Sequence, residues 1–108
     1  MDEWWDKDGY PSDTALNQLS AIKKPADALN FALELWNLDF GSVREALQPH
    51  ELTILHADKD ERFVRFTTGG WSGNESIISA LRRTPLTWPL TWRLSTRGGL
   101  HIFEYPKA

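Results

Sequence analysis

The apolar positions change their period halfway along the chain. In the first half they recur three and four residues apart. Leu16, Leu19 and Ile22 do so in "SDTALNQLSAI", and Ala28, Leu29, Phe31, Ala32, Leu33, Leu35 and Trp36 in "PADALNFALELWN". This is the spacing of helices that bury one side. Ser12 is a good N-cap and Asp13 suits a first turn, so the first helix is predicted to begin there. "KKP" at Lys23 to Pro25 ends it, and Pro25 fits the first turn of the second helix. The apolar set of that second helix covers much of its circumference and predicts the most buried helix of the domain. Gly41 breaks the chain. Ser42 and Glu45 in "SVREAL" spell a capping box and predict a short third helix, stopped by Pro49.

After residue 50 the period shortens to two. "ELTILHA" and "RFVRFTT" are rich in β-branched and aromatic residues, with polar "DKDE" between them, and predict a hairpin with strands at about 51–57 and 62–68. Ser72 and Glu75 then form a second capping box. Ile77, Ile78 and Leu81 give its helix an apolar stripe, and Pro85 ends it. Leu86, Trp88, Leu90, Trp92 and Leu94 alternate with polar residues, the pattern of a strand, which Pro89 confines to an edge or to the part after it. A two-residue Gly98-Gly99 turn would pair Leu94 with Phe103, Trp92 with Tyr105 and Arg93 with Glu104, and place Trp92 and Leu94 in the core. The predicted order is α-α-α-β-β-α-β-β. It describes an α+β two-layer domain, with the N-terminal helices and one middle helix packed on an antiparallel sheet of about four strands. No linker divides residues 1–108, which read as a single domain. Residues 1–11 form a tail expected to fold back through Trp4 and Trp5.

Composition narrows the class. The chain of 108 residues has no cysteine, which removes disulfides, thiol catalysis and zinc–thiolate sites. No apolar run approaches the ~20 residues of a membrane span. The acidic start lacks the order of a secretory signal, so a cytoplasmic location is expected. The net charge of −3 argues against a general nucleic-acid coat. The charge is unevenly distributed, however: residues 1–60 carry 12 acidic and 5 basic residues, and residues 61–108 carry 3 and 7. The second half would offer a basic surface to an anionic partner if those charges gathered on one side. "DKDG" at Asp6 to Gly9 suggests a calcium loop, but Trp4 and Ala15 occupy positions that need oxygen ligands.

Candidate chemistry centres on "TTGGWSGNESIISALRR", Thr67 to Arg83. One reading is architectural: a glycine turn, a capped helix, and Trp71 as a core anchor. The other uses the same atoms for binding. Gly69 and Gly70 let a ligand approach the backbone, the helix start offers free N–H groups, Ser72 and Asn74 add polar groups, and Trp71 offers a ring for stacking. The spacing is neither G-x-G-x-x-G nor a P-loop, and Glu75 would repel an anion there. Arg93 and Arg97 share a strand face, with Arg62 or Arg65 nearby. They either dress a solvated sheet or form a patch for phosphate or an acidic protein. His50, His56 and His101 lie in separate segments, so no metal site is expected. Ser72 with His101 or His56 is the one hydrolase candidate, and "GWSGN" is not G-x-S-x-G.

The strings "DGYPSDTAL", "LW", "TTGGWSGNESIISAL" and "STRGGLHIF", with two tryptophans between the last pair, occur in this order. The combination resembles a family of small uncharacterised proteins of bacteriophages and bacterial prophages, with a core of T-G-G-W-S-x-N-E, then W, then R-G-G-H. This chain departs from it by placing Leu100 before His101. The resemblance implies a phage or prophage origin and a bacterial host cell. It implies no activity, so it supplies no catalytic residue and no cofactor. The expectation is a non-enzymatic accessory protein that binds a host or phage protein. The alternatives are a nucleotide- or nucleic-acid-binding module using the Gly69–Asn74 loop, with an anionic ligand, and a cryptic hydrolase.

Overall fold

A computed structural model describes residues 3–57 and 61–106. Helix α1 (Asp13–Ala21) starts at the predicted cap: Ser12 is extended and its Oγ accepts from the Ala15 amide at 3.0 Å. Pro25 opens α2 (Pro25–Leu35), along which Ala28, Leu29, Ala32 and Leu35 are buried. Trp4 and Trp5 lie back against the body. Trp4 meets Phe31 edge to face, and the Trp5 indole N–H donates to Leu35 O at 3.4 Å. "DKDG" is a local turn in which Asp6 Oδ1 accepts from the Asp8 and Tyr10 amides.

The middle of the chain departs from the sequence reading. Ser42–Arg44 is a strand, β1, and not the start of a helix. It pairs antiparallel with β2 (Phe63–Thr67). The Ser42 amide and hydroxyl both bond to Thr67 Oγ1, at 2.9 and 2.6 Å, so the polar groups of the supposed cap serve the sheet instead. The helix comes next. Pro49 opens α3 (Pro49–Leu55) rather than stopping a helix, and the capping box is Gln48 with Glu51, whose carboxylate accepts from the Gln48 amide at 2.9 Å. Residues 51–57 therefore form no strand, and the predicted hairpin with residues 62–68 is replaced by a helix followed by β2. Of the polar segment 58–61 expected between the two strands, residues 58–60 lie outside the described residues.

Helix α4 (Ser72–Arg82) follows as expected. The alternating "PLTWPLTW" then gives a single helical turn, α5 (Thr87–Thr91), before β3 (Trp92–Thr96) and β4 (Leu100–Glu104). Pro89 sits within the first turn of α5, where a missing N–H costs no helical hydrogen bond. All pairings are antiparallel, in the order β1-β2-β4-β3. The result is the expected α+β architecture, with helices packed on a four-stranded sheet. One sheet face carries Val64, Phe66, Phe103 and Tyr105 against α1, α2 and α4. The other carries Phe63 and Ile102 against Leu55 of α3.

The β3–β4 turn has three residues, Arg97 to Gly99, and not two. Thr96 faces Leu100, Ser95 faces His101 and Leu94 faces Ile102. Trp92 then faces Phe103, because Arg93 bulges out of the ladder. The expected Leu94–Phe103 and Trp92–Tyr105 partners are thus each displaced by one or two positions. The bulge turns Arg93 and Leu94 to the same side, that of α3, where Leu94 packs on the Leu55–Phe63–Ile102 cluster. The predicted Arg93–Glu104 ion pair survives the altered register. Trp92 does not join the core; it is 40% exposed and stacks on Trp88, with ring centroids 5.8 Å apart.

Candidate functional site

Three connections converge at one end of the sheet. The Thr68 amide donates to Gly99 O at 3.0 Å, which ties the β2–α4 turn to the β3–β4 turn. Asn74 ties the first of these to the α2–β1 connection. Its Oδ1 accepts from the Asn37 amide at 2.9 Å, and its Nδ2 donates to Asn37 O at 3.1 Å and Thr68 O at 3.4 Å. The Trp36 indole adds a bond to Thr67 O at 3.1 Å. Gly69 is required here twice over: its φ is +66°, and a Cβ would come within 1.6 Å of Phe40 O. Gly70 also has a positive φ, but nothing lies within 4 Å of where its Cβ would be.

On this frame rests an aromatic cluster. Trp71 stacks nearly parallel on Phe40, with centroids 4.8 Å apart and an interplanar angle of 14°, and meets Tyr10 at 4.7 Å. Gly73 lies under the indole; a Cβ there would be 2.4 Å from its six-membered ring. Trp71 is half-buried, Phe40 keeps 54% of its surface exposed and Tyr10 39%.

The sequence-predicted site residues divide accordingly. Gly69, Gly70, Trp71, Ser72 and Asn74 are together, and Arg97 is exposed on the neighbouring turn. Asn74, however, is fully buried and all its polar atoms are bonded, so it is an internal tie and not a surface group. Ser72 does not cap α4. Trp71 is the N-cap, no side chain caps that end, and Ser72 is the exposed first residue of the helix. Arg93 belongs elsewhere: it donates to Leu55 O at 2.9 Å and pairs with Glu61 and Glu104 on the α3 side. Arg65 is similarly engaged, with Glu51 at 2.8 Å. Burial acts to raise the Glu51 carboxyl, but the Gln48 amide and the Arg65 guanidinium outweigh it and leave the group below its usual range.

Sequence reasoning missed Tyr10 and Phe40. Their signal was there to read: each is an aromatic residue beside a glycine in a polar, turn-forming segment, "KDGYPS" and "LDFGS", where the chain has little core to offer. It also missed a pair on the hairpin. Ser95 Oγ and His101 Nδ1 are 2.7 Å apart, and the Trp92 indole N–H donates to the same Oγ at 2.7 Å. Indole nitrogen only donates, so Ser95 Oγ accepts from Trp92, while the direction of the Ser95–His101 bond follows the histidine tautomer. Burial, with help from the Arg82 charge and against that of Glu75, pushes the His101 imidazole below its ordinary value. The expected serine, Ser72, has no place in this pair.

Among the described residues no cavity opens and no His, Asp and Glu group is arranged to hold a metal ion. Nor is any described helix long and apolar enough to cross a membrane. No family model matches the chain, and no curated protein or solved structure matches it either.

Proposed function

We propose that this is a phage- or prophage-encoded accessory protein that works by binding another protein, of the phage or of its bacterial host, in the host cytoplasm. Tyr10, Phe40 and Trp71 form the contact face. The exposure of these rings carries the reading. Phe40 and Tyr10 are large apolar groups left open to solvent, yet held in place by a third ring and a hydrogen-bonded frame. Rigid, half-exposed aromatic residues supply contact area at a small entropic cost, and they are enriched where proteins meet. The phage origin is supported by the motif string, several of whose residues gather at this end: Tyr10, Trp36, Gly69, Trp71, Asn74 and Gly99.

The nucleotide or nucleic-acid reading draws less support from the same geometry. The Asn74 amide is already bonded, and Phe40 covers the indole on which a base would stack. The test is affinity capture from infected or lysogenic bacteria, with the parent protein and a Tyr10→Ser/Phe40→Ser variant side by side. A protein retained by the parent and lost by the variant, with both folded by circular dichroism, supports the proposal. Equal capture by both would refute the assignment of the face.

A further inference from the structure

We infer that the guest at this face is cationic: an arginine or lysine side chain of the partner protein, laid against the Phe40 and Tyr10 rings with its charge toward the carboxylates beside them. This deepens the protein-docking reading and rests on it. The rings supply the first half of the argument. An aromatic face carries negative charge density and attracts a cation placed over it. Phe40 lies flat on Trp71 and Gly73 closes on the indole from α4, so the ring surface left for a guest is that of Phe40 and Tyr10.

The charges supply the second half. Asp39 directly precedes Phe40 and is fixed by its amide, which donates to Asn37 Oδ1 at 2.8 Å. Asp6 is bonded through Oδ1 to the Tyr10 amide at 3.0 Å, and Asp8 is exposed two residues before that ring. The ion pairs among the described residues involve Arg62, Arg65 and Arg93, so none of these three aspartates is neutralised by one of them. Lys7 is the one basic side chain among the described residues 3–12, and Arg97 is exposed on the adjoining β3–β4 turn. A phosphate chain arriving here meets like charge and electron-rich rings together. A guanidinium meets two favourable terms at once, and its planar form suits stacking better than an ammonium does.

The experiment uses the full chain labelled with 15N and four probes. These are a blocked hexapeptide of alternating arginine and serine, the same peptide with citrulline for arginine, the same with glutamate, and hexathymidylate. The arginine peptide is expected to shift the Trp71 indole N–H and the amides of Tyr10, Phe40 and Gly70 saturably, with weaker binding as salt is raised. Citrulline keeps the shape without the charge, and its peptide should bind at least about two- to five-fold more weakly, as should the arginine peptide to Phe40→Leu or Asp39→Asn. Equal binding of the citrulline peptide would overturn the inference, as would shifts at these residues from hexathymidylate or the glutamate peptide. If the arginine peptide is silent while the Tyr10→Ser/Phe40→Ser variant still loses its cellular partner, the cationic guest is wrong and the docking face stands. If that variant keeps the partner, both fall.

Discussion

Asn74 shows what a single position in "TTGGWSGNES" does. From the sequence it reads as a polar loop residue open to a ligand; in the fold it is the pin joining α4 to the α2–β1 connection, with no exposed surface. Asn74→Ala leaves the Asn37 amide and carbonyl without that partner, and should cost about 1–3 kcal/mol, read as a lower midpoint in a urea melt. Ser72→Ala, at the exposed start of α4, should stay within about 0.5 kcal/mol, because no cap is lost. The opposite ranking would return the capping role to Ser72. The same inversion separates two aromatic residues of the β3–β4 hairpin. Phe103 is fully buried, and Phe103→Ala should cost about 3–5 kcal/mol. Trp92→Ala should cost well under that, because the ring is partly in water and loses mainly a stack on Trp88 and a bond to Ser95. At this scale the sequence told which residues matter and not which way each one faces. Facing depends on partners far along the chain, such as Asn37 for Asn74.

Helices with long apolar stripes, α1, α2 and the body of α4, were legible, as were β2 and the existence, though not the register, of the β3–β4 hairpin. Short elements were not. Ser42 to Arg44 and Pro49 to Leu55 exchanged their expected roles, because a span of three or seven residues holds too little local preference to resist tertiary pairing or a reciprocal cap. The α3 cap is testable. Glu51→Ala removes the bond to the Gln48 amide and the Arg65 partner together, and should lower stability by about 1–3 kcal/mol. In the hairpin, His101 has a depressed pKa and faces Ser95 and Trp92 on β3, with Glu75 and Arg82 of α4 nearby. Between the ordinary histidine value of about 6.5 and the lower folded value, the unfolded chain binds a proton that the fold does not. Stability from this group is therefore complete above about 6.5, falls as pH drops toward the folded value, and levels off below it. Urea midpoints measured down this range should show the decline in the parent and a shallower one in His101→Gln. Identical slopes would mean that His101 is not the titrating group.

For the whole molecule, the uneven charge of the sequence is largely undone by folding. Arg62 reaches Glu45 and Arg65 reaches Glu51, each joining the basic second half to the acidic first, while Arg93 is held by Glu61 and Glu104. Arg82 lies over the Trp88 ring. Of the basic residues that the sequence suggested as one surface, Arg65 and Arg93 are thus tied inward, while Arg62, Arg82, Arg83 and Arg97 are exposed, Arg62 in a solvent-facing pair with Glu45. Such pairs contribute little to stability singly, but they remove the concentrated positive field that a polyanion requires. The aromatic end, by contrast, keeps its carboxylates unpaired among the described residues. The expected consequence is selectivity by charge at the level of the intact protein. Fluorescence anisotropy of labelled single-stranded and duplex oligonucleotides should stay flat at about 50 mM salt, a condition that favours phosphate contacts. The Tyr10→Ser/Phe40→Ser variant should lose about 1–3 kcal/mol, the worth of two aromatic contacts with Trp71, and stay folded, yet lose the cellular partner. Oligonucleotide binding that weakens steeply with salt and is abolished by Arg97→Ala would instead restore the basic turn as the working surface, and make the aromatic cluster a cover for the Gly69–Trp71 turn.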